Sequence, residues 1–570
     1  MTDSPRLTPC YQNLHRSNVF CEHCTGTYCR HSAPPIATPQ TQLRARTTPD
    51  VTITSHFLSQ CRWISLLLAI LVLLGCGKSR DRANRDGRPF PPLVVLYAPC
   101  TVNKSFLSPY NREVTYTPHL ESFANSATVF TKHRTEAGLS GIAYASILTG
   151  SQAPEHGVYA HPARLRDSLY DITEAFAANG YDVFFWNDQR MGAADLNYGQ
   201  GVPPENVFER ILQADDRDFK RILKKLRKDP DYRVFLLVNF RVNHNPYRSD
   251  NLVSFLQNFP EERKDLAGIT QPQVNRYMNL YYKHDFSLRY DFERTRELQG
   301  LTEKELDDLT RVVQLLYKSN IPILDQLFGE VVANIDAAGF ADDSLIAFSA
   351  DHGESMFRSH APFKWSHGHA VQSDVLDVPL IIRTPKTFSA THRCEFVTRS
   401  VDIFPTLTAL AQLELPEKVS VEGHDLSKYM RPGQPDPGLS AYSHSGMVFP
   451  LSGKRYAVQN LMGQYLARYY PASDMVHTWV AIRRGDFVWK YRSLEDQTFV
   501  FQAFDVSRDA AESTNLFDME DPRHQEMSTE LKRYKDHLVR SYREWSSAPP
   551  PVELGEQEEL KRLRSMGYVK

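Results

Sequence analysis

The sequence predicts an α/β fold, in which helices sandwich a mostly parallel sheet and a smaller C-terminal α+β domain follows. Three observations support this prediction. Apolar runs alternate with helical patterns from Pro91 onward. These runs are continuous, as expected of strands that are buried on both faces. After about residue 445 the pattern changes to paired short strands and one terminal helix, which is typical of a separate α+β arrangement.

The individual elements follow from local patterns. In the first domain, we predict strands from the apolar runs 93–98, 181–186, 233–240, the start of 344–356, and 378–385. Helices are predicted over 169–180, with Gly180 as its C-cap, over 303–339 and over 402–413. In the second domain, 478–493 and 498–507 predict antiparallel strands, and 527–545 predicts a helix.

The overall composition excludes some classes of function. The chain has 570 residues, of which 41% are hydrophobic and 24% charged, with a formal net charge of -2. This is an ordinary globular composition with no global field that would attract nucleic acid. Basic residues are not clustered with aromatic ones, and no segment repeats at a fixed period. We therefore expect no nucleic-acid partner.

The N-terminal segment predicts export. After Arg62 lies an apolar run of roughly 12 residues, too short to span a bilayer comfortably but typical of a secretory signal. Its end, Leu73–Cys76, resembles a bacterial lipobox, in which the cysteine is lipidated. The alternative is an uncleaved membrane anchor. Either way, the body of the protein is expected outside the cytoplasm, membrane-anchored in the periplasm or at the cell surface.

The first 50 residues fit this leader poorly. The spacing of Cys21 and Cys24 is one that zinc sites use. However, a long polar extension before a signal is atypical, so the preferred interpretation is a true start further downstream. The predicted organisation is a leader over 1–76, a linker over 77–90, a catalytic domain over 91–445, and a smaller domain with its tail over 446–570. After processing, too few cysteines remain to predict a disulfide framework.

Asp351 and His352 end the apolar run that begins at Ser344. In open α/β sheets, ligands bind at the carboxyl ends of the strands. The pair therefore has two interpretations, either a metal site or the ordinary start of a polar loop. The pair alone does not decide between them.

Residues 145–150 (ASILTG) and 154–158 (PEHGV) resemble a signature of the alkaline phosphatase/sulfatase superfamily. The resemblance implies a nucleophile ten residues before Gly150, which is Ser140, at the start of a helix. The free N–H groups of a helix N-terminus favour an anionic ester. A nearby metal would activate the hydroxyl. The implied fold is alkaline-phosphatase-like.

Further elements resemble the family in the expected order. Residues 243–247 (NHNPY) are similar to a motif whose histidine contacts the ester anion, which implies that His244 binds substrate. The stretch Ser349–Glu354 resembles the family's second metal motif. The remaining similar segments are 107–111, 117–124, 366–385, 501–517 and 560–569.

The resemblance also implies the roles of the remaining site residues. Asp351 and His352 would bind a divalent metal, with zinc or manganese favoured by these ligands and calcium a weaker candidate. His367 aligns with a histidine near the metal or the leaving group, with His369 and His360 as second choices. Lys364 is included as a partner for the substrate anion, although it also fits an ordinary loop lysine.

The sequence departs from the family at two places. Where members carry a carboxylate ligand at the end of the first strand, this chain has Cys100. Its thiolate can bind zinc at about 2.3 Å, or the ligand has been lost and the site binds metal poorly. Sulfatases form formylglycine in a motif with Pro or Ala two residues on and Arg four residues on. After Ser140, those positions hold Ile142 and Tyr144.

These features together predict an exported, metal-dependent hydrolase of the sulfatase-like branch. It would cleave a phosphate mono- or diester, and less readily a sulfate ester, through unmodified Ser140. The substrate would be a small-molecule, glycan or lipid ester. Two alternatives remain: a catalytically degenerate, lipid-anchored binding protein on the same fold, and a phosphoryl transferase.

Overall fold

In the computed structural model of the chain, eight strands form one large sheet whose order is β4-β3-β5-β1-β6-β7-β2-β8. The strands are β1 Leu93–Tyr97, β2 Thr128–Arg134, β3 Asp182–Asn187, β4 Val207–Phe208, β5 Val234–Asn239, β6 Ser344–Phe348, β7 Ile381–Arg383 and β8 His392–Arg399. All neighbouring pairs are parallel except those that involve β7, which runs antiparallel to both β6 and β2. The prediction of a mostly parallel sheet is confirmed.

The structure describes residues 90–546, except 162, 190, 193–195, 291, 357–363, 369–370, 389–391, 432, 447–477 and 494–497. The predicted leader with Cys76 lies outside the described residues, as do the linker up to residue 89 and the C-terminal tail. Within the described part of the chain, no helix is both long and apolar enough to cross a membrane.

Helices cover both faces of this sheet. They are α1 Pro118–Ala124, α2 Ser140–Thr149, α3 Ala153–His156, α4 Ile172–Ala178, α5 Arg217–Lys228, α6 Leu252–Asn258, α7 Gln271–Tyr290, α8 Phe292–Gln299, α9 Glu303–Ile335, α10 Ser373–Leu376 and α11 Ile403–Leu410. Short 3-10 turns lie at Lys104–Phe106, Pro204–Asn206, Pro260–Leu266, Lys386–Phe388, Ser400–Asp402 and Ser427–Met430, and a π turn at Asp336–Phe340.

The alternation of side chains along β1 shows why its sequence is apolar throughout. Leu93, Val95 and Tyr97 belong to the apolar cluster on one face of the sheet. Val94 and Leu96 belong to the cluster on the other face. Successive strand residues point to opposite faces, so a strand that is covered on both sides has no solvent-facing position for a polar residue.

Two of the predicted helices show how their ends are fixed. Helix α9 begins with a capping box in which Thr302 and Glu305 satisfy each other's backbone N–H groups. The helix predicted to end at Gly180 is capped one residue earlier, at Asn179. Gly180 then takes a left-handed conformation with φ +81°, which glycine adopts without steric cost.

A second sheet forms the C-terminal part, in the order β12-β11-β10-β9 with all pairs antiparallel. Its strands are β9 Ser440–His444, β10 Val480–Arg484, β11 Phe487–Ser493 and β12 Phe499–Asp505, and the terminal helix is α12 Pro522–Ser546. Trp489 on β11 and Leu531 on α12 share one apolar cluster. The predicted antiparallel strands and terminal helix are therefore present.

Candidate active site

Polar side chains meet at the carboxyl ends of β1 and β6, which are parallel neighbours in the large sheet. Cys100 follows β1, and Asp351 and His352 follow β6. The Ser140 hydroxyl, at the first residue of α2, lies 3.3 Å from Nε2 of His352 and 3.5 Å from Sγ of Cys100. The structure thus brings together the predicted nucleophile and all three predicted metal ligands.

Ligand atoms of Cys100, Asp351 and His352 lie within 4.8 Å of one another, and all three residues are buried. Asp351 Oδ1 accepts hydrogen bonds from the backbone N–H groups of His352, at 2.6 Å, and Thr101, at 3.2 Å. Its other oxygen, Oδ2, is buried and has no hydrogen-bond partner in the part of the chain that the structure describes. A buried carboxylate oxygen without a donor is costly, and a cation at this position would satisfy it.

The orientation of His352 also suits a metal ligand. Its Nδ1–H donates to the carbonyl oxygen of Gly353 at 2.8 Å, so Nε2 carries the lone pair. Fixing one imidazole nitrogen in this way is the usual support for a metal-bound histidine. Gly353 is required at this turn because a Cβ there would lie 2.2 Å from the carbonyl oxygen of Asp374. The three donor groups therefore fit a divalent ion.

Cys100 stands where the resemblance to the family implies a carboxylate ligand. Its sulfur lies 3.7 Å from Nε2 of His352 and 3.0 Å from the Thr101 hydroxyl. Burial, followed by the nearby Asp351, raises the pKa of the Cys100 thiol well above its ordinary value. In the metal-free protein the group is therefore a neutral thiol, and a bound cation would have to supply the attraction that ionises it.

The loop after β1 is held in a strained conformation. Thr101 has φ 64°, which is uncommon for a residue that carries a side chain. The Tyr317 hydroxyl, on α9, donates to the Thr101 carbonyl at 2.9 Å and accepts from the Asn103 N–H at 2.9 Å. The long helix α9 thus fixes the loop that carries Cys100.

Helix α2 presents Ser140 at its N-terminus, as predicted. The next N–H, that of Gly141, donates to Nδ1 of His161 at 2.8 Å. Tyr144, at the position where formylglycine formation requires arginine, is fully buried, and its hydroxyl donates to the carbonyl of Ala98. Tyr144 therefore ties the helix to the end of β1 and is not turned toward a bound anion.

Three imidazole rings form a row beside this cluster. The ring of His367 lies 4.4 Å from that of His352 and 4.9 Å from that of His244, measured between centroids. Burial lowers the pKa of both His367 and His244 well below the ordinary value, and neighbouring imidazoles lower it further. The structure thus places both predicted substrate-side histidines next to the metal-ligand cluster.

Glu354 contacts the His367 ring of this row, and no role was predicted for it from the sequence. Its Oε1 lies 3.1 Å from Nδ1 of His367, and its Oε2 accepts from the Asn245 amide at 3.3 Å. Burial raises the pKa of Glu354 to about 8, although His352 opposes the shift. The signal was present in the sequence, because Glu354 closes the Asp-His-Gly-Glu stretch on which the metal prediction rests.

The remaining residues predicted to contact substrate are Lys364 and His369, with His360 as a second choice. Lys364 is buried, its backbone N–H donates to the carbonyl of Arg289 at 3.2 Å, and its ammonium lies 5.5 Å from the centre of the Phe292 ring. Burial lowers the pKa of Lys364 to about 8. Its contacts lie in the wall formed by α7 and α8. His369 and His360 lie outside the described residues.

The arrangement of these side chains indicates which reaction the site can carry out. A hydroxyl at a helix N-terminus lies beside a three-ligand cluster, and neutral imidazoles flank the other side. Such a set suits attack of the hydroxyl on an anionic ester that the imidazoles help to orient. With the eight-stranded sheet, it defines an alkaline phosphatase-like hydrolase. The chain belongs to the sulfatase family, whose model, described as Sulfatase, matches residues 101–413. It is a hydrolase acting on ester bonds.

Two curated relatives have low sequence identity to this chain, and both are named as sulfatases. The ulvan-active sulfatase of Formosa agariphila is 22% identical over 428 residues, which cover 69% of this chain and 75% of that protein. Arylsulfatase A of Bos taurus is 23% identical over 458 residues, which cover 76% of this chain and 84% of that protein.

Solved structures show the same fold. BT4656, in complex with its substrate D-glucosamine-2-N,6-O-disulfate, has a TM-score of 0.56 at 17% identity, covering 81% of this chain and 100% of that one. The phosphonate monoester hydrolase of Agrobacterium radiobacter has a TM-score of 0.50 at 16% identity, covering 82% and 99%. At these identities the likeness supports the fold and leaves the substrate open.

Proposed function

We propose that the protein is an exported, metal-dependent hydrolase that cleaves a phosphate mono- or diester, and less readily a sulfate ester, with Ser140 as an unmodified nucleophile. The observation that carries the proposal is the position of the Ser140 hydroxyl, 3.3 Å from Nε2 of His352 at the start of α2. Zinc or manganese fits the donor set of Cys100, Asp351 and His352.

The choice of ester follows from the residues after Ser140. Ile142 and Tyr144 replace the small residue and the arginine of the formylglycine motif, and both are fully buried. Without that conversion the nucleophile is an ordinary hydroxyl. A serine hydroxyl forms a phosphoseryl intermediate that water can resolve, whereas formylglycine is the device suited to sulfate esters. The preference for phosphate therefore rests on Ile142 and Tyr144.

The chain's own residues would divide the reaction as follows. The Ser140 oxygen attacks in line with the leaving group, while the N-terminus of α2 favours the negative charge on the transferred group. His244 and His367 orient this group and assist the leaving oxygen. When bound, the metal held by Cys100, Asp351 and His352 supplies positive charge that stabilises the transition state and favours the ionised hydroxyl. Water then releases the product from Ser140.

Polar groups beyond β3 and β5 support a hydroxylated leaving group. Among the described residues, no hydrogen-bond partner reaches the buried Nδ2 atom of Asn187, the Nε2 atom of Gln189 or the two amide atoms of Asn243. Unpaired buried amides are costly, and hydroxyl groups can both donate to them and accept from them. We therefore extend the proposal to an ester of a polyhydroxylated molecule, a glycan rather than a simple lipid.

Location outside the cytoplasm rests on the leader sequence, in which Cys76 follows a short apolar run. Expression of the full chain in a bacterium with labelled palmitate tests the anchor. Label should enter the wild type and be absent from Cys76→Ser. Equal label in both proteins would contradict lipidation at Cys76, and fractionation would then test an uncleaved anchor.

The central experiment measures hydrolysis of 4-nitrophenyl phosphate, bis(4-nitrophenyl) phosphate and 4-nitrophenyl sulfate, with zinc or manganese. Wild type and Ser140→Ala are compared with Ser146→Ala, a control on the same helix whose hydroxyl donates to Glu136. Turnover should fall by roughly 10³-fold or more in Ser140→Ala and persist in Ser146→Ala. The phosphate esters should be preferred.

Two results would overturn the proposal. Equal turnover by wild type and Ser140→Ala would remove Ser140 as nucleophile. Absence of turnover together with absence of bound metal would favour the lipid-anchored binding protein, an alternative that the buried neutral thiol of Cys100 supports. Metal content of the purified protein therefore belongs to the same experiment.

A further inference from the structure

The first turn of α2, which carries Ser140, is contacted by two side chains from loops outside the helix. Nδ1 of His161 accepts the Gly141 N–H at 2.8 Å, and the Tyr198 hydroxyl donates to the Gly141 carbonyl at 3.0 Å. We propose that His161 and Tyr198 are positioning residues that hold the Ser140 hydroxyl in the orientation from which it attacks the ester. The inference rests on the proposed function and gives a role to two residues that are not part of the metal cluster.

Helix α2 lacks a capping side chain of its own. Its N-cap residue is Leu139, which makes no side-chain capping bond, whereas the serine, threonine, aspartate or asparagine usual at this position accepts an N–H group of the first turn. His161, 20 positions beyond Gly141, supplies an acceptor instead. Because an acceptor comes from outside the helix, the Ser140 hydroxyl is not needed for capping and is left for chemistry.

The space around Gly141 is closed by the same two side chains. A Cβ atom at this position would lie 2.7 Å from Nδ1 of His161, 3.2 Å from the Tyr198 hydroxyl and 3.3 Å from the Ala160 carbonyl oxygen. Only glycine lets these groups approach the helix backbone so closely. Both His161 and Tyr198 are buried. In packing this close, Ser140 cannot shift unless its neighbours shift as well.

The loops that carry the two positioning residues are hydrogen-bonded to each other. The Leu165 N–H donates to the Leu196 carbonyl at 2.9 Å, and the Asn197 amide donates to the Leu165 carbonyl at 3.0 Å. The Tyr198 hydroxyl also lies 3.1 Å from the Ala163 carbonyl oxygen, so its single proton is shared between the two loops and α2. The start of α2 is therefore attached to one connected frame, and loss of either positioning side chain should loosen it.

The kinetic test compares kcat with KM in the full-length protein, with the 4-nitrophenyl ester of the preferred anion. His161→Leu removes the acceptor, His161→Asn keeps one, and Tyr198→Phe removes only a hydroxyl. A misplaced nucleophile attacks slowly, whereas binding of the ester is unaffected. In His161→Leu, kcat should therefore fall roughly 100-fold while KM changes less than about 3-fold. Tyr198→Phe should lose roughly 10-fold in kcat, and His161→Asn should recover about 10-fold of the loss in His161→Leu.

Two matched controls separate positioning from a general loss of packing. His156→Leu changes another buried histidine that contacts α2, at Ser146 rather than at the first turn. Tyr181→Phe removes a buried hydroxyl that bonds to the Pro91 carbonyl and not to α2. Each control should keep kcat within about 2-fold of the wild type, even where its urea midpoint falls.

Hydrogen exchange of the Gly141 amide gives a readout that needs no turnover. It is followed by NMR in protein with isotope-labelled glycine, and the Gly141 resonance is assigned by its absence from Gly141→Ala. The exchange rate should rise at least about tenfold in His161→Leu, because the N–H loses its acceptor. It should stay near the wild-type rate in His161→Asn and in Tyr181→Phe.

The outcomes separate the two proposals. An unchanged kcat in His161→Leu, an equal loss in His156→Leu, or a rise in KM without a fall in kcat would overturn the role of His161. If His161→Leu does not fold, Tyr198→Phe and Tyr181→Phe give the same comparison, and equal kcat values in that pair overturn the proposal. If the wild type cleaves none of the esters, the proposed function fails. The exchange rate then decides whether His161 holds the first turn of α2, and equal rates in wild type and His161→Leu overturn the positioning.

Discussion

Glu354 and Glu136 are buried carboxylates that contact histidines, and they lie in very different surroundings. Glu354 meets His367 at the carboxyl ends of the large sheet. Glu136 follows β2 and lies within reach of both His156 and His444, so it connects the nucleophile-bearing region to the small sheet. Both carboxylates are buried. They differ in how completely their hydrogen-bonding capacity is met.

Glu136 is saturated with donors. It accepts from the Ser146 hydroxyl, from the Ala153 N–H at 2.7 Å and from Nε2 of His156 at 3.3 Å. Burial alone would raise its pKa, but the hydrogen bond from His156 and the nearby His444, whose Nε2 is 3.6 Å away, outweigh burial and hold the pKa well below the ordinary range. The carboxylate is therefore ionised and fully used inside the protein.

Glu354 has the opposite balance. It has fewer donors, so burial dominates and raises its pKa to about 8. Nearby, Asp351 Oδ2 has no hydrogen-bond partner among the described residues and lies 3.7 Å from Nε2 of His352. The comparison teaches that residue type and burial do not separate a structural carboxylate from a functional one. What separates the two kinds is unmet hydrogen-bonding capacity, because a buried polar atom without a protein partner is available to a ligand.

The largest effect that separates the two regions should come from Asp351→Ala. It removes an oxygen that accepts no hydrogen bond from the described residues, so affinity for zinc and manganese should fall by more than about 100-fold, the upper range for changes to groups that merely support a ligand. Calorimetric titration of the full chain measures this. Glu136→Gln should bind either ion as the wild type does, and equal losses in both variants would remove the distinction.

The next largest effect should appear in stability. Glu136→Leu leaves His156, a hydroxyl and a backbone N–H without their acceptor, and breaking such a buried group costs about 3–5 kcal/mol of unfolding free energy. Glu354→Leu removes a poorly satisfied acid and should cost less than about 2 kcal/mol. Urea unfolding compares them. Similar costs would show that Glu354 is as structural as Glu136.

Much of the fold was predictable because it depends on continuous local patterns. The apolar runs that became β1, β5 and β6 are short and continuous, as expected of strands that are buried on both faces. The helix that begins at Ser140 and the pairing of Asp351 with His352 followed from sequence motifs that resemble those of the family and occur in the same order. These predictions rest on neighbours in sequence, or on the shared edge of parallel strands.

The missed parts of the site depend on contacts between distant segments. Glu354 meets Asn245 across 109 positions of sequence, and Arg289 meets Asn245 across 44. No local pattern encodes such pairs. The strained Thr101 was also beyond reach, because its conformation is imposed by Tyr317 from α9. The roles of His369 and Cys76 remain predictions, since both lie outside the described residues.

A smaller effect concerns which metal the site prefers. Cys100→Asp replaces a soft sulfur with a hard oxygen within the same three-residue cluster. Affinity for manganese relative to zinc should rise about tenfold, because thiolate favours zinc and carboxylate favours manganese. Competition titration of the two ions measures the ratio. An unchanged ratio would show that Cys100 does not ligate, and that the cluster relies on Asp351 and His352.

The smallest effect is in the pH dependence of stability, where the two carboxylates should act with opposite sign. The folded pKa of Glu136 is depressed, so its contribution is present above the ordinary carboxyl pKa of 4.5 and is lost as the pH falls. The penalty of Glu136→Gln should therefore be greatest at neutral pH and shrink in acid.

For Glu354 the folded pKa is raised from 4.5 to about 8, so its contribution is present at acid pH and is lost as the pH rises between those values. Glu354→Gln cannot ionise, and its stability relative to the wild type should therefore improve across that window. Urea midpoints of both variants and the wild type, measured without metal from pH 4 to pH 9, give the two slopes. Slopes of the same sign would mean that the hydrogen-bonding capacity of Glu136 and Glu354 is met equally well. The difference between these two carboxylates would then no longer identify the site.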